Sequence, residues 1–161
     1  MKNVIMVLFS AVLFLPVIAF PFNAAGAPAQ ESGGTFNNVE GKEWFLSEIK
    51  SAGKTISIDR KELAAANMGG YYTISFREGR ASGTGAPNRY FASYTTGSNR
   101  GLGIGNIAST MMAPFREPDN LKENEYFNYL PRVARWNLRE GKLELYCSNS
   151  NGGEAILIFI P

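Results

Sequence analysis

Histidine is absent from the 161-residue chain, and cysteine occurs once, as Cys147. Without histidine there is no Ser-His-Asp or Cys-His nucleophile system and no His-containing zinc or haem site. A single cysteine excludes an internal disulfide, a four-cysteine zinc site and a Cys-x-x-Cys redox pair. Charge of one sign is also lacking: Lys+Arg 16 stand against Asp+Glu 14, a formal balance of +2 with no signature of nucleic-acid binding. The length is that of one domain. After the N-terminal segment, no apolar run is long enough to be a membrane span.

What is present begins with an address. Met1-Lys2-Asn3 is a short basic start, and Val4 to Phe20 is almost entirely apolar, interrupted by Ser10 and Pro16. Small residues follow, through Ala27-Pro28-Ala29. This is the layout of a secretory signal peptide. Cleavage after Ala27 would leave proline first, so the boundary is expected after Ala29, with residues 1–29 removed and Gln30 leading the mature chain. The competing reading is an uncleaved anchor, at about 17 residues near the short limit for a span. Export implies a periplasmic or extracellular location, no membrane span after cleavage and no nucleic-acid partner.

Residues 30–38 are rich in Gly, Ser and Asn and read as a flexible lead-in to a domain over 39–161. Lys42 to Ile49 reads as a strand, with Trp44 and Leu46 on one face and Phe45 and Ile49 on the other. Thr55 to Asp59 alternates strictly and reads as a second strand. Asp59 with Glu62 then fits the start of a short helix, stopped by Gly69-Gly70. Further strands are read at Tyr71–Phe76, Arg80–Thr84, Arg89–Tyr94 and Leu102–Ile107, the sheet continuing through Thr110-Met111-Met112. The main helix is expected to open at Asn120 and run to Pro131, burying Tyr126, Phe127 and Leu130. Val133–Leu138, Lys142–Cys147 and Ala155–Ile160 complete about eight strands. The class is α+β, mostly antiparallel β. Cys147 shares strand parity with Leu143 and Leu145, so it reads as an inward side chain and not as a reactive thiol.

Four stretches in this order resemble the META domain, the fold of the HslJ-like bacterial envelope stress proteins. They are Val39-Glu40-Gly41-Lys42-Glu43-Trp44, Gly83-Thr84-Gly85-Ala86-Pro87-Asn88-Arg89-Tyr90, Ile107-Ala108-Ser109-Thr110-Met111-Met112-Ala113-Pro114, and the helix holding Asn124-Glu125 with the strand after it. The resemblance implies a twisted sheet curled into a partly open barrel packed on one main helix. It also places two family cysteines at Pro87 and Pro114, so any redox role of relatives through them is absent. Each proline fixes φ and lowers the entropy of the unfolded chain.

The residues singled out as a binding or structural motif are Asn88, Arg89, Tyr90, Thr110, Met111 and Glu125. Glu125 is expected beside the apolar face of the helix, where a half-buried carboxylate needs a donor. Arg89 or the Thr110 hydroxyl is the expected donor, making a structural clamp whose loss in Glu125→Gln would cost stability; the alternative is a functional pocket. Ser47 to Lys50 and Ser51 to Lys54 match a Ser-x-x-Lys spacing but lie in a strand end and a loop, where that chemistry has no support. Gly101 to Gly105 lacks the following helix of a phosphate loop. Arg132, Arg135, Arg139 and Lys142 with Trp136 read as a solvated basic face. No cofactor or metal site and no catalytic group emerges.

The sequence therefore points to an exported, monomeric, non-enzymatic protein of the bacterial envelope, serving stress tolerance by binding another envelope component. Two other readings stay open: a carrier of a small apolar ligand or lipid inside the barrel, and a secreted inhibitor of a cell-wall hydrolase working through Gly97–Gly101 or Asn149–Gly153. The leader yields the first prediction. N-terminal analysis of the exported protein should return Gln30, and an intact leader would establish the anchored form instead.

Overall fold

The computed structural model describes residues 34–113 and 117–161. The leader, the start of the lead-in and Pro114 lie outside the described residues. Ten strands are present among the described residues: β1 (Glu43–Ser51), β2 (Lys54–Ser57), β3 (Thr73–Arg77), β4 (Arg80–Thr84), β5 (Arg89–Thr96), β6 (Leu102–Ile104), β7 (Ala108–Ser109), β8 (Val133–Arg139), β9 (Lys142–Ser148) and β10 (Glu154–Ile160). Two helices join them, α1 (Arg60–Ala65) and α2 (Glu123–Tyr129), the second prolonged by a 3-10 turn at Leu130–Arg132. The pairing is antiparallel throughout, and the sheet runs β6-β5-β4-β3-β1-β10-β9-β8, with β2 added to β1 and β7 to β5.

Curling brings the two ends of this order, β6 and β8, to face each other. They meet through one backbone bridge, Gly101 with Arg135. Trp136 N donates to Arg100 O at 3.0 Å, and Arg100 Nη1 to Asn137 Oδ1 at 2.5 Å. The result is a nearly closed barrel with one unsealed seam, which agrees with the partly open barrel implied by the resemblance.

The expected alternation along β1 holds for Trp44 and Leu46, but Ile49 is buried with them and not on the opposite face. The cause is a bulge. Leu46 pairs with Phe159 and Glu48 with Ile158, so Ser47 is an extra residue, and its hydroxyl donates to Ile158 O at 2.9 Å. One inserted residue reverses the parity of everything after it. The same bulge divides the labour of β1, whose first part pairs with β3 and whose last part pairs with β2.

Several boundaries differ from the sequence reading, and three of them have a clear local reason. α2 starts at Glu123 and not at Asn120, because Lys122 is extended and the Asn120 side chain donates to Ser57 O at 2.6 Å. α1 starts as expected, with Asp59 accepting from the amides of Lys61 and Glu62. It ends at Ala65, however, and Asn67 takes the left-handed conformation at φ 59 before Gly69-Gly70 is reached. β7 stops at Ser109, so Thr110-Met111-Met112 does not extend the sheet.

The interior is filled. Trp44, Tyr72, Phe76, Tyr126 and Phe159 are fully buried, along with Leu46, Ile49, Ile74, Leu143, Leu145 and Leu157. Cys147 points inward as expected, its Sγ 3.6 Å from Ala155 O, and burial pushes its thiol up to about 12. α2 closes one end of the barrel. At the other end, the last residues of the lead-in are ordered and not flexible. Phe36–Asn38 forms a 3-10 turn, and the Phe36 ring lies 5.3, 5.5 and 5.2 Å from the rings of Phe76, Tyr94 and Trp136.

That ring bridges strands on both sides of the seam, so it belongs to the folded domain. Phe36→Ala should lower the stability to urea by about 2 kcal/mol, somewhat below the value for a fully buried phenylalanine. An unchanged urea midpoint would return residues 30–38 to the status of a tail.

Candidate functional site

The motif Gly83 to Tyr90 spans the end of β4, a turn and the start of β5. Strand alternation sends Asn88 and Tyr90 inward and leaves Arg89 outside. Asn88 is buried at a junction of three segments. Its Nδ2 donates to Glu123 Oε2 at 2.6 Å and to Met112 O at 3.1 Å. Its Oδ1 accepts from the Thr110 hydroxyl and from Met112 N, both at 2.7 Å. Every donor and acceptor of the amide is used, and its orientation is fixed by one partner that can only donate and one that can only accept.

Glu123, the first residue of α2, completes the junction. Its Oε1 accepts from Ala86 N at 2.5 Å and Asn88 N at 2.6 Å. A carboxylate with two main-chain donors on one oxygen and a side-chain amide on the other is a set of charge-assisted bonds, each about twice as strong as a neutral one. Gly85 is required beside it: a Cβ there would lie 2.6 Å from Glu123 Oε1 and 2.6 Å from Phe127 Cζ. The Ala86–Pro87 peptide within this turn is cis.

The acidic residue expected in this role was Glu125, and the structure corrects that. Glu125 is exposed, and its Oε2 accepts from Lys122 N at 3.2 Å, a contact within its own helix terminus. Neither of its expected donors reaches it. Arg89 is exposed, and the Thr110 hydroxyl is committed to Asn88. The displacement is a matter of helical phase, since Glu125 is one residue from Tyr126 and points away from the face that Tyr126 shares with Phe127 and Leu130. A readable signal was nevertheless available, because Tyr126, Phe127 and Leu130 lie three, four and seven residues after Glu123 and so share its face.

Tyr90 serves a second junction. Its hydroxyl and that of Tyr126 converge on Thr73 O at 2.8 and 3.0 Å and lie 3.1 Å apart. Burial drives both phenols above their ordinary range. Gly83 permits this arrangement: a Cβ there would stand 2.0 Å from the same Thr73 oxygen. Tyr72, held at φ 54, packs its ring 5.4 Å from Tyr126 and donates its hydroxyl to Leu121 O at 2.5 Å.

Of the six singled-out residues, the fold therefore gathers Asn88, Tyr90 and Thr110 and leaves Arg89, Met111 and Glu125 outside. Met111 is 98% exposed. Together with Met112 at 53% and Phe91 at 47%, it makes up the exposed large apolar side chains among the described residues. All three lie on β5 or on the segment that follows β7.

Two surface hollows flank this region. One, of about 320 Å³, lies between α1 and residues 117–120 and is rimmed by carboxylates. Most are already engaged: Asp59 caps α1, Glu117 Oε1 accepts from Glu123 N, and Asp119 lies 3.9 Å from Lys122 Nζ. The other, of about 570 Å³, is an open groove on the outer face of β3, β4, β5 and β7. Elsewhere, Arg132, Arg135 and Lys142 are exposed, the solvated basic face expected, while Trp136 turns inward. The indole is buried under Arg100, 5.2 Å away, Arg135 stacks on Tyr146 at 3.9 Å, and Arg139 Nε lies 3.7 Å from Glu144 Oε1. Among the described residues no helix is long and apolar enough to cross a membrane, and no cluster of ligating side chains suits a metal ion.

Glu123→Gln should destabilise the protein by about 2 kcal/mol, because the amide must turn a donor toward donors. This corresponds to a fall in Tm on the order of 8 °C. Glu125→Gln, being exposed, should stay within about 0.5 kcal/mol. Thermal melts of the two variants side by side decide the assignment, and equal losses would refute it.

Comparison with known proteins supports the fold. A protein from Burkholderia xenovorans, solved by NMR, superposes with a TM-score of 0.59 at 23% identity, covering 88% of this chain and 97% of that one. A DUF4847 family protein from Bacteroides vulgatus, solved by crystallography, gives a TM-score of 0.51 at 14% identity, covering 79% and 96%. The curated proteins contain no match. The META domain family matches residues 37–157, nearly all of the described fold, so the chain belongs to the META domain family.

Proposed function

We propose that this META domain protein is exported to the bacterial envelope and acts there without catalysis, contributing to stress tolerance by holding another envelope component on its outer surface. The observation that carries the reading is the concentration of Phe91, Met111 and Met112 beside the outer groove, while the barrel interior is filled. Apolar side chains exposed together on an otherwise well-packed domain mark an interaction surface.

The carrier reading fares less well, since a ligand inside the barrel would have to displace Trp44, Phe76 and Phe159. The inhibitor reading needs a free protruding loop. Asn149–Gly153 is instead folded on itself, with Asn149 Oδ1 accepting from the amides of Asn151 and Gly153, and Gly97–Gly101 is drawn into the seam.

Crosslinking and pull-down from the native envelope test the proposal. The wild-type protein should capture a defined component, and replacement of Phe91, Met111 and Met112 by serine should abolish capture without lowering Tm. Undiminished capture by the triple variant would remove this face from the function.

A further inference from the structure

Alternation in the Asn88-Arg89-Tyr90 motif leaves Arg89 outside, with no structural task. It stands on the same outward face of β4 and β5 as Arg80, Ser82, Thr84 and Phe91, by the register Ser82 with Phe91 and Thr84 with Arg89. Arg80 and Arg89 sit at opposite ends of the outer groove, their Cα atoms roughly 14 Å apart by strand rise and spacing. The Arg80 guanidinium lies over the Phe91 ring, 4.1 Å from its centroid, a cation–π contact that holds the group at one end of the groove. Across the hairpin, Arg77 pairs directly with Arg80. Like charges facing each other in a ladder are unfavourable unless something neutralises them. Among the described residues, none of these three arginines has an ion-pair partner. The one carboxylate lining the groove, Glu43, sits three strands from β5 on the row Glu43, Ser75, Ser82, Phe91.

Between the arginines the floor carries hydroxyls, Ser75 and Ser82 lying 3.2 Å apart, with Thr84 further along. The main chain of β4 is paired on both sides, to β3 and to β5. An occupant here is therefore read by side chains, not by strand addition, and this disfavours an extended peptide. A row of hydroxyls flanked by a guanidinium at each side matches a chain that carries many hydroxyls and spaced acid groups.

We propose that this groove binds a linear acidic polysaccharide, with Arg80 and Arg89 each taking a sugar carboxylate and the hydroxyls between them taking sugar hydroxyls. The proposal rests on the binding-face reading above and names the chemistry of what that face meets. Bidentate guanidinium–carboxylate pairing supplies the charge recognition, and the hydroxyl floor distinguishes a sugar from a simple polyanion.

The test is calorimetric titration of the purified protein with a hexamer of galacturonic acid, repeated at rising salt. Saturable binding that weakens with salt is expected. Arg80→Ala and Arg89→Ala should each weaken it at least tenfold, and the double variant should abolish it at unchanged Tm. Maltohexaose, the neutral control, should not bind. The proposal is overturned by absence of hexagalacturonate binding, by wild-type affinity in the double variant, by maltohexaose binding as well as the acidic hexamer, or by hexaglutamate binding as tightly as the sugar. Envelope pull-down with the double variant separates the two readings. Retained capture without hexagalacturonate binding leaves the binding face standing and removes the polysaccharide.

Discussion

The carboxylate of Glu123 ties together three parts of the chain. Its two oxygens gather the amides of Ala86 and Asn88 and the Asn88 side chain, and through Asn88 they reach Thr110 and Met112. Three segments far apart in sequence are thereby fixed around one charge. Burying a carboxylate is costly unless donors surround it, and burying an asparagine is costly unless all four of its bonding positions are used. Here each group answers the other's requirement. The register of the β4–β5 connection, the end of β7 and the placement of α2 are one decision.

The same economy governs the next turn of α2. Thr73 O receives two tyrosine hydroxyls, one from β5 and one from α2, and the missing side chain of Gly83 gives that oxygen room. The two glycines of the motif thus answer to proximity: one clears space for a carboxylate and the other for a carbonyl. With those contacts made, the domain has enough buried apolar surface to stand without disulfides, in keeping with a chain that has only one cysteine.

Much of this architecture was legible in the sequence, because strand alternation and turn residues report local preferences. Ile74 and Phe76 lie on one buried face of β3, and Cys147 points inward, as their spacing indicates. What escaped were features set by distant partners. The Ser47 bulge follows from pairing with β10, more than a hundred residues away, and no local pattern announces it. Asn120 has the chemistry of a helix cap but its amide donates to Ser57 O, so the helix begins late; separately, the Asn124-Glu125 resemblance drew the acidic anchor to Glu125 in place of Glu123. Phe36 was assigned to a loose tail because its glycine- and serine-rich neighbours outweigh one ring in composition, although that ring touches three aromatics. Arg89 was gathered into the clamp with Asn88 and Tyr90, and alternation alone would have separated it.

The barrel is a split ring. Along most of its circumference the strands are laced by ladders, but at the slit between β6 and β8 a single backbone bridge joins the rims. A split ring can alter its bore by opening the slit, without unlacing any ladder. Its two mouths are not equally stiff. The α2 mouth is pinned by a charged knot, and the opposite mouth is stoppered by one half-buried phenyl ring that touches both sides of the slit. The slit and its stopper thus lie away from the outer groove, whose walls belong to the laced part of the ring.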